Sequence, residues 1–174
     1  IRLCIVTTVH WKAFMGGAKY QIKCLLERLV PLGRYDIHYI ARRTPEDERL
    51  DGYNIHRIGD GKAVPRFGYI SDAPALYRTL SRLKPDVIYQ RIGCGYTGIA
   101  AYYARRSRCG LVWHAANDTD VQLGMKVVEK NMLRQRLERK LLSYGIKHAD
   151  RVVTQTERQA QLLLENFGRR PDAV

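Results

Sequence analysis

The chain has no C-x-x-C pair, and its four cysteines, at positions 4, 24, 94 and 109, have no histidines at the spacing a zinc site uses. A zinc module is excluded and no metal is expected. Cys4 in an apolar strand and Cys24 on a helix read as small buried hydrophobes, and the cysteine usage implies a reducing, cytoplasmic setting. No apolar run approaches the ~20 residues that a membrane span needs. The sequence opens directly on a strand-like segment, with no basic n-region or cleavage site, so no secretory leader is read. Internal repeats and low-complexity tracts are absent as well. Acidic residues are scarce: 17 against 30 lysines and arginines, a net charge of +13. The excess is spread along the chain, with one concentration at Lys126, Lys130, Arg134, Arg136, Arg139 and Lys140. Such a charge suits nucleic acid, an anionic membrane surface or phosphorylated substrates. No RRM, KH, zinc-finger or helix-turn-helix signature is present, and the basic residues are not interleaved with aromatics, so nucleic acid is not an expected partner.

What is present is an apolar content of 45% with 27% charged residues in 174 positions, enough for one domain with its own core. Residues 2–8 are short, β-branched and apolar, a buried strand. Over residues 18–32, Ile22, Leu25, Leu26, Leu29 and Val30 recur at three- and four-residue steps, one face of a helix that Pro31 and Gly33 end. Strands follow at 35–40 and 53–58 around a charged loop, 42–51. A loop at 59–71 leads to a helix at 72–83. Further strands are predicted at 86–89, 111–114 and 150–154, and helices at 98–108, 125–144 and 156–167. In the helix at 125–144, Leu133, Leu137 and Leu141 form a stripe opposite the basic face. Thr156 and Gln159 stand at capping-box spacing. The alternation of strands and helices predicts an α/β fold: Rossmann-like, doubly wound, with a mostly parallel sheet and helices on both faces. Ligands of such folds sit beyond the carboxyl ends of the strands, here the loops 9–17, 90–98, 115–123 and 155–156.

Two glycine motifs lie in those loops. Gly16-Gly17 joins the first strand to the first helix, where glycine permits close backbone approach and the helix start attracts an anion. A simple turn is the alternative. Gly93-x-Gly95-x-x-Gly98 formally matches the dinucleotide fingerprint, with Asp118 about twenty residues on, so an NAD-binding half of an oxidoreductase is a rival reading. The match falls at the fourth strand, however, and too little chain is expected after it to complete a second mononucleotide half. His114 ends a strand and precedes Asn117, Asp118 and Asp120, a position from which it can orient a hydroxyl or stabilise developing charge. His10, His38, His56 and His148 lack such company. The basic face with Arg134, Arg136, Arg139 and Lys140 is a solvated helix surface or, on a second reading, a module that lies on anionic lipid.

Four segments, in order, resemble family 4 glycosyltransferases of the GT-B fold. They are Gly16-Gly17-Ala18-Lys19-Tyr20-Gln21, Lys84-Pro85-Asp86-Val87-Ile88-Tyr89, Leu111-Val112-Trp113-His114 and the run from His148 to Gln159. The resemblance implies two Rossmann-like domains facing across a cleft, the first mainly binding the acceptor and the second the nucleotide-sugar. The chain ends about where that family passes into its second domain, and the family's diphosphate-binding Arg/Lys pair and paired glutamates are not in it. The expectation is therefore an acceptor-side domain of a retaining enzyme, inactive without its partner domain and using no metal or other cofactor. On the same resemblance Gly16 and Gly17 approach the donor phosphate and sugar, His114 contacts the sugar near the reaction centre, and Lys19, Arg91, Asn117 and Asp118 face the acceptor. Lys19 and Arg91 depart from the Glu or Gln and the His common there. Both add positive charge, which suits a phosphorylated acceptor among carbohydrate and lipid-linked ones. Peripheral contact with the inner face of a membrane fits the same picture.

Overall fold

The computed structural model describes residues 1–46, 49–50, 52–61, 68–122 and 132–174. Among them are seven strands, β1 (Arg2–Val9), β2 (Asp36–Arg43), β3 (Arg49–Leu50), β4 (Tyr53–Arg57), β5 (Val87–Arg91), β6 (Gly110–His114) and β7 (Arg151–Val153). Five α-helices accompany them: α1 (Gly17–Leu29), α2 (Ala73–Leu83), α3 (Gly95–Ser107), α4 (Met132–His148) and α5 (Glu157–Phe167). The sheet order is β3-β4-β2-β1-β5-β6-β7, and every pairing is parallel except β3 with β4. The six parallel strands thus complete the doubly wound order, with the chain reversing direction across the sheet between β1 and β5. This corrects the expectation that too little chain follows the fourth strand.

Burial on both faces of the central strands explains their unbroken apolar runs. On one face, Ile5, Ile37 and Tyr39 pack against Ile22 and Leu26 of α1. On the other, Cys4, Val6, Ile40, Ile88, Leu111 and Trp113 cluster with Leu76 and Leu80 of α2 and with Ile99, Ala100 and Ala104 of α3. The loop expected at 42–51 contains β3, whose two residues pair with Asn54 and Tyr53 across Gly52 at φ 85. Two residues are too few to show a period. A 3-10 turn, Gly68–Asp72, closes the loop expected at 59–71.

The helix expected at 125–144 extends further at its C-terminal end. Its described part runs to His148, while its expected start, with Lys126 and Lys130, lies outside the described residues. Leu133 is 80% exposed, so the leucine stripe does not pack along its whole length. The packed face is marked by Leu141, the last leucine of the stripe, together with Glu138, Gly145 and Ile146. Arg134 is half-buried beside Gly68, and Arg136 and Lys140 are exposed. A Cβ on Gly145 would stand 2.5 Å from the Thr97 carbonyl carbon, and one on Gly98 would run into the backbone of Leu141. Helices α3 and α4 therefore cross at backbone contact distance, which only glycine allows.

Candidate functional site at the carboxyl edge of the sheet

The carboxyl ends of β1, β5, β6 and β7 meet at the reversal between β1 and β5, where the loops after them converge. Arg91 and His114 are register partners on adjacent parallel strands, and Tyr89, two residues before Arg91, shares their face. The His114 Nδ1 atom lies 2.7 Å from the Tyr89 hydroxyl and 2.7 Å from Nη1 of Arg91. Nη1 also donates to the Tyr89 oxygen at 3.3 Å. The other arm of the guanidinium, Nη2, donates to Gln21 Oε1 on α1. Gln155, after β7, donates from Nε2 to the same Gln21 oxygen and to the Ala115 carbonyl, both at 3.1 Å. One hydrogen-bonded chain thus ties α1, β5, β6 and the loop after β7 together. Burial first, and then the Arg91 charge, hold the His114 imidazole down to about 4, so it is neutral near pH 7.

The two glycine motifs separate physically. Helix α3 begins with its cap filled: Cys94 and Thr97 form a reciprocal capping box, and the Glu138 carboxylate accepts the Gly95 N–H at 2.5 Å and the Tyr69 N–H at 2.6 Å. A Cβ on Gly95 would meet that carboxylate at 2.6 Å. The anion position a dinucleotide phosphate would use at α3 is therefore occupied by the protein's own carboxylate. Gly93, Gly95 and Gly98 serve packing against Asp120, Glu138 and Leu141. Helix α1 is the opposite case. Gly16 is extended at φ −161, no side chain caps the helix among the described residues, and its first turn holds no acid. A Cβ on Gly17 would meet nothing within 4 Å, and one on Gly16 only Phe14 and Lys19 side-chain atoms at 3.7 and 3.9 Å. The fold itself gives no reason for glycine there. An open helix N-terminus with positive potential remains.

Lys19 is half-buried with Nζ 5.4 Å from the centre of the Phe14 ring, and burial lowers its pKa. Arg91 is only 1% exposed, so its guanidinium sits behind His114 and not at the surface of the cleft. Asn117 is exposed, and its side-chain oxygen accepts from Asp120 N–H at 3.2 Å and Thr119 Oγ1 at 2.5 Å, capping the 3-10 turn Asp118–Val121. Asp118 pairs with Arg158 at 3.3 Å. Asp120, buried, accepts the Ala116 N–H at 2.7 Å and lies against Gly93, and burial raises its pKa. Gln21, Tyr89 and Gln155 stand in the segments that carry the resemblance but received no role from the sequence, although Tyr89 at i−2 from Arg91 on a strand was a usable signal. His38 and His56 bond to each other at 2.9 Å across β2 and β4, as structural residues do. His10 does have company. Its Nδ1 accepts the Lys12 N–H at 3.1 Å and its Nε2 donates to the Tyr53 hydroxyl at 3.1 Å, inside a cage with Trp11 and Tyr39.

Burial holds the fully enclosed His10 down to about 4 as well. In the unfolded chain both histidines titrate near ~6.5. Between these values only the unfolded state binds the protons, so stability is fully present above about pH 6.5 and declines as pH falls toward 4. Urea unfolding followed from pH 7.5 to 4.5 is expected to show uptake of about two protons near pH 5 from these groups. His10→Asn should remove about half of that uptake.

A doubly wound domain with its ligand edge open at the first helix is the architecture of one half of a GT-B enzyme. The description "Glycosyl transferase 4-like domain" matches residues 16–174, and the chain belongs to that family. No curated protein matches the sequence. Among solved structures, the chain is similar to MurG of Acinetobacter baumannii at 15% identity and TM-score 0.51, over 99% of this chain and 43% of that one. It is similar to the lipopolysaccharide outer core galactosyltransferase WaaB at 9% identity and TM-score 0.58, over 95% and 42%. A UDP-GlcNAc 2-epimerase from Neisseria meningitidis, bound to UDP-GlcNAc, is similar at 12% identity and TM-score 0.57, over 95% and 43%. The chain spans less than half the length of each of these structures. At such identities the likeness is one of fold. No helix among the described residues is long and apolar enough to cross a membrane.

Proposed function

We propose that this domain forms the acceptor side of a retaining glycosyltransferase that moves a sugar from a nucleotide-sugar to a carbohydrate, lipid-linked or phosphorylated acceptor. The single observation that carries the reading is the pairing of an open glycine loop at α1 with a neutral His114 held at the same edge by Tyr89 and Arg91. Gly16 and Gly17 admit the donor's phosphates and sugar against the backbone, and the start of α1 faces the charge that develops on the leaving diphosphate. His114 contacts the reacting sugar. Lys19, partly desolvated at the mouth of the loop, meets an anionic group of the acceptor. Asn117 and Asp118 shape the rim through the turn they cap and the ion pair with Arg158. The nucleotide is gripped by a second domain.

The test compares chain 1–174 with a polypeptide carrying both domains in a donor-hydrolysis screen of UDP-, GDP- and ADP-sugars. The isolated chain is expected to be inactive and the joined one active. Turnover by chain 1–174 at the rate of the joined form would overturn the two-domain reading.

Gly17→Ala separates a ligand glycine from a turn glycine. With open space around the Cβ and no positive φ, the substitution should leave stability unchanged or raise it by up to about 1 kcal/mol through helix propensity. In the two-domain enzyme the same methyl group stands where the donor approaches, and KM for the donor should rise about tenfold or more, the ~1.4 kcal/mol of one lost close contact. Thermal melts and donor saturation curves on one preparation measure both.

A further inference from the structure

We infer that Arg91 is a positioning residue that fixes His114 in the Nε2–H tautomer, so that the imidazole acts as a hydrogen-bond donor and cannot act as a base. This rests on the glycosyl-transfer reading of the site for its consequence, although the tautomer itself follows from the geometry alone.

A guanidinium has N–H donors and no acceptor. With Arg91 Nη1 at 2.7 Å, His114 Nδ1 must present its lone pair. The Tyr89 hydroxyl, 2.7 Å from the same nitrogen, takes a hydrogen bond on its oxygen from Nη1 at 3.3 Å. Its own proton is thereby turned toward Nδ1. A proton on Nδ1 would face two donors, which disfavours the other neutral tautomer and the imidazolium alike.

The arrangement is held at both ends. Arg91 is buried, its second arm donates to Gln21 Oε1, and Gln155 fixes Gln21 to the Ala115 carbonyl next to His114. The guanidinium therefore cannot swing away and release Nδ1 without breaking a chain that crosses α1, β5, β6 and the loop after β7. The carboxylate of Asp120 is the acidic group whose charge interacts with this guanidinium from the facing loop.

The chemical consequence is specific. His114 Nε2–H donates to an oxygen with a lone pair, a hydroxyl or carbonyl of the bound sugar. It has no nitrogen left to take a proton from the acceptor hydroxyl. Deprotonation of the acceptor falls to another group, and the charge on Arg91 reaches the ligand through the polarised imidazole.

Long-range proton–nitrogen NMR of chain 1–174 labelled with 15N-histidine tests the assignment without any substrate. The unmodified chain is expected to show a protonated Nε2 and an unprotonated Nδ1 at His114, unchanged from pH 8 to pH 5. Arg91→Met should give a tautomer mixture that titrates closer to ~6.5, and Arg91→Lys should retain part of the bias. If Arg91→Met does not fold, the unmodified spectrum still decides: a protonated Nδ1 at neutral pH overturns the inference. In the two-domain enzyme, His114→Gln places an amide N–H near the position of Nε2–H and should recover about tenfold or more in kcat over His114→Ala, which a base role would not allow. Equal kcat in the two variants would overturn the donor role. Absence of all sugar transfer beside the expected spectrum would instead overturn the functional reading.

Discussion

His114→Ala is expected to lower kcat of the two-domain enzyme by about 10²–10³-fold, the range for removing one preorganised donor aimed at the reacting centre. KM for the donor should change much less, because the nucleotide is held elsewhere. The substitution also removes the nitrogen that both Arg91 Nη1 and the Tyr89 hydroxyl face, leaving Nη1 only its longer bond to the Tyr89 oxygen, and a donor that loses its partner away from water costs about 1–3 kcal/mol. A melting curve beside the kinetics separates the two effects. A fall in stability with kcat within threefold of the parent would mean that the histidine only props the sheet edge.

Gly145→Val is expected to have the largest effect on the fold. Its Cβ would stand 2.5 Å from the carbonyl carbon of Thr97, which is backbone in a helix and cannot turn aside. Helix propensity alone would make a side chain at this position favourable by up to about 1 kcal/mol, so the sign of the measured change is diagnostic. Forcing α3 and α4 apart is expected to cost about 3 kcal/mol or more, a fall in Tm of roughly 6–12 °C. The displacement would also withdraw Glu138 from the Gly95 and Tyr69 N–H groups. Gly145→Ala should destabilise in the same direction with smaller amplitude. A neutral or stabilising alanine would show that the helices are not in backbone contact.

The layer architecture was legible because the central strands β1 and β2 are buried on both faces and α1, α2 and α5 keep an apolar stripe, so period and length sort them directly. The strand pair β3–β4 was half missed because Arg49 and Leu50 are too few to display alternation. The leucines of α4 misled for a different reason. That helix packs on α3 through Gly145, the Leu141 backbone and the half-buried carboxylate of Glu138, and none of these contacts uses a leucine side chain. Within the site, the glycine loop and His114 could be placed at the carboxyl edge from strand order alone. What could not be read was which glycine motif is filled. Glu138 lies 43 residues from Gly95 in sequence, and only the fold reveals that it caps α3 and leaves α1 open. Arg91 was expected to face the acceptor from its place in the family resemblance, and its burial puts it behind His114. Its partner Gln21 comes from α1, is itself held by Gln155 of the loop after β7, and draws it inside.

The central claim is that ligand chemistry occurs at the α1 glycine loop and His114, and not at the fingerprint-like turn of α3. A structure of the two-domain polypeptide with a nucleotide-sugar bound tests it most directly. The diphosphate is expected against the Gly16–Gly17 backbone and a sugar oxygen within hydrogen-bond distance of His114 Nε2, with Glu138 still on the Gly95 N–H. A phosphate on the Gly93–Gly98 turn with Glu138 displaced, or a sugar with no contact to His114, would contradict it.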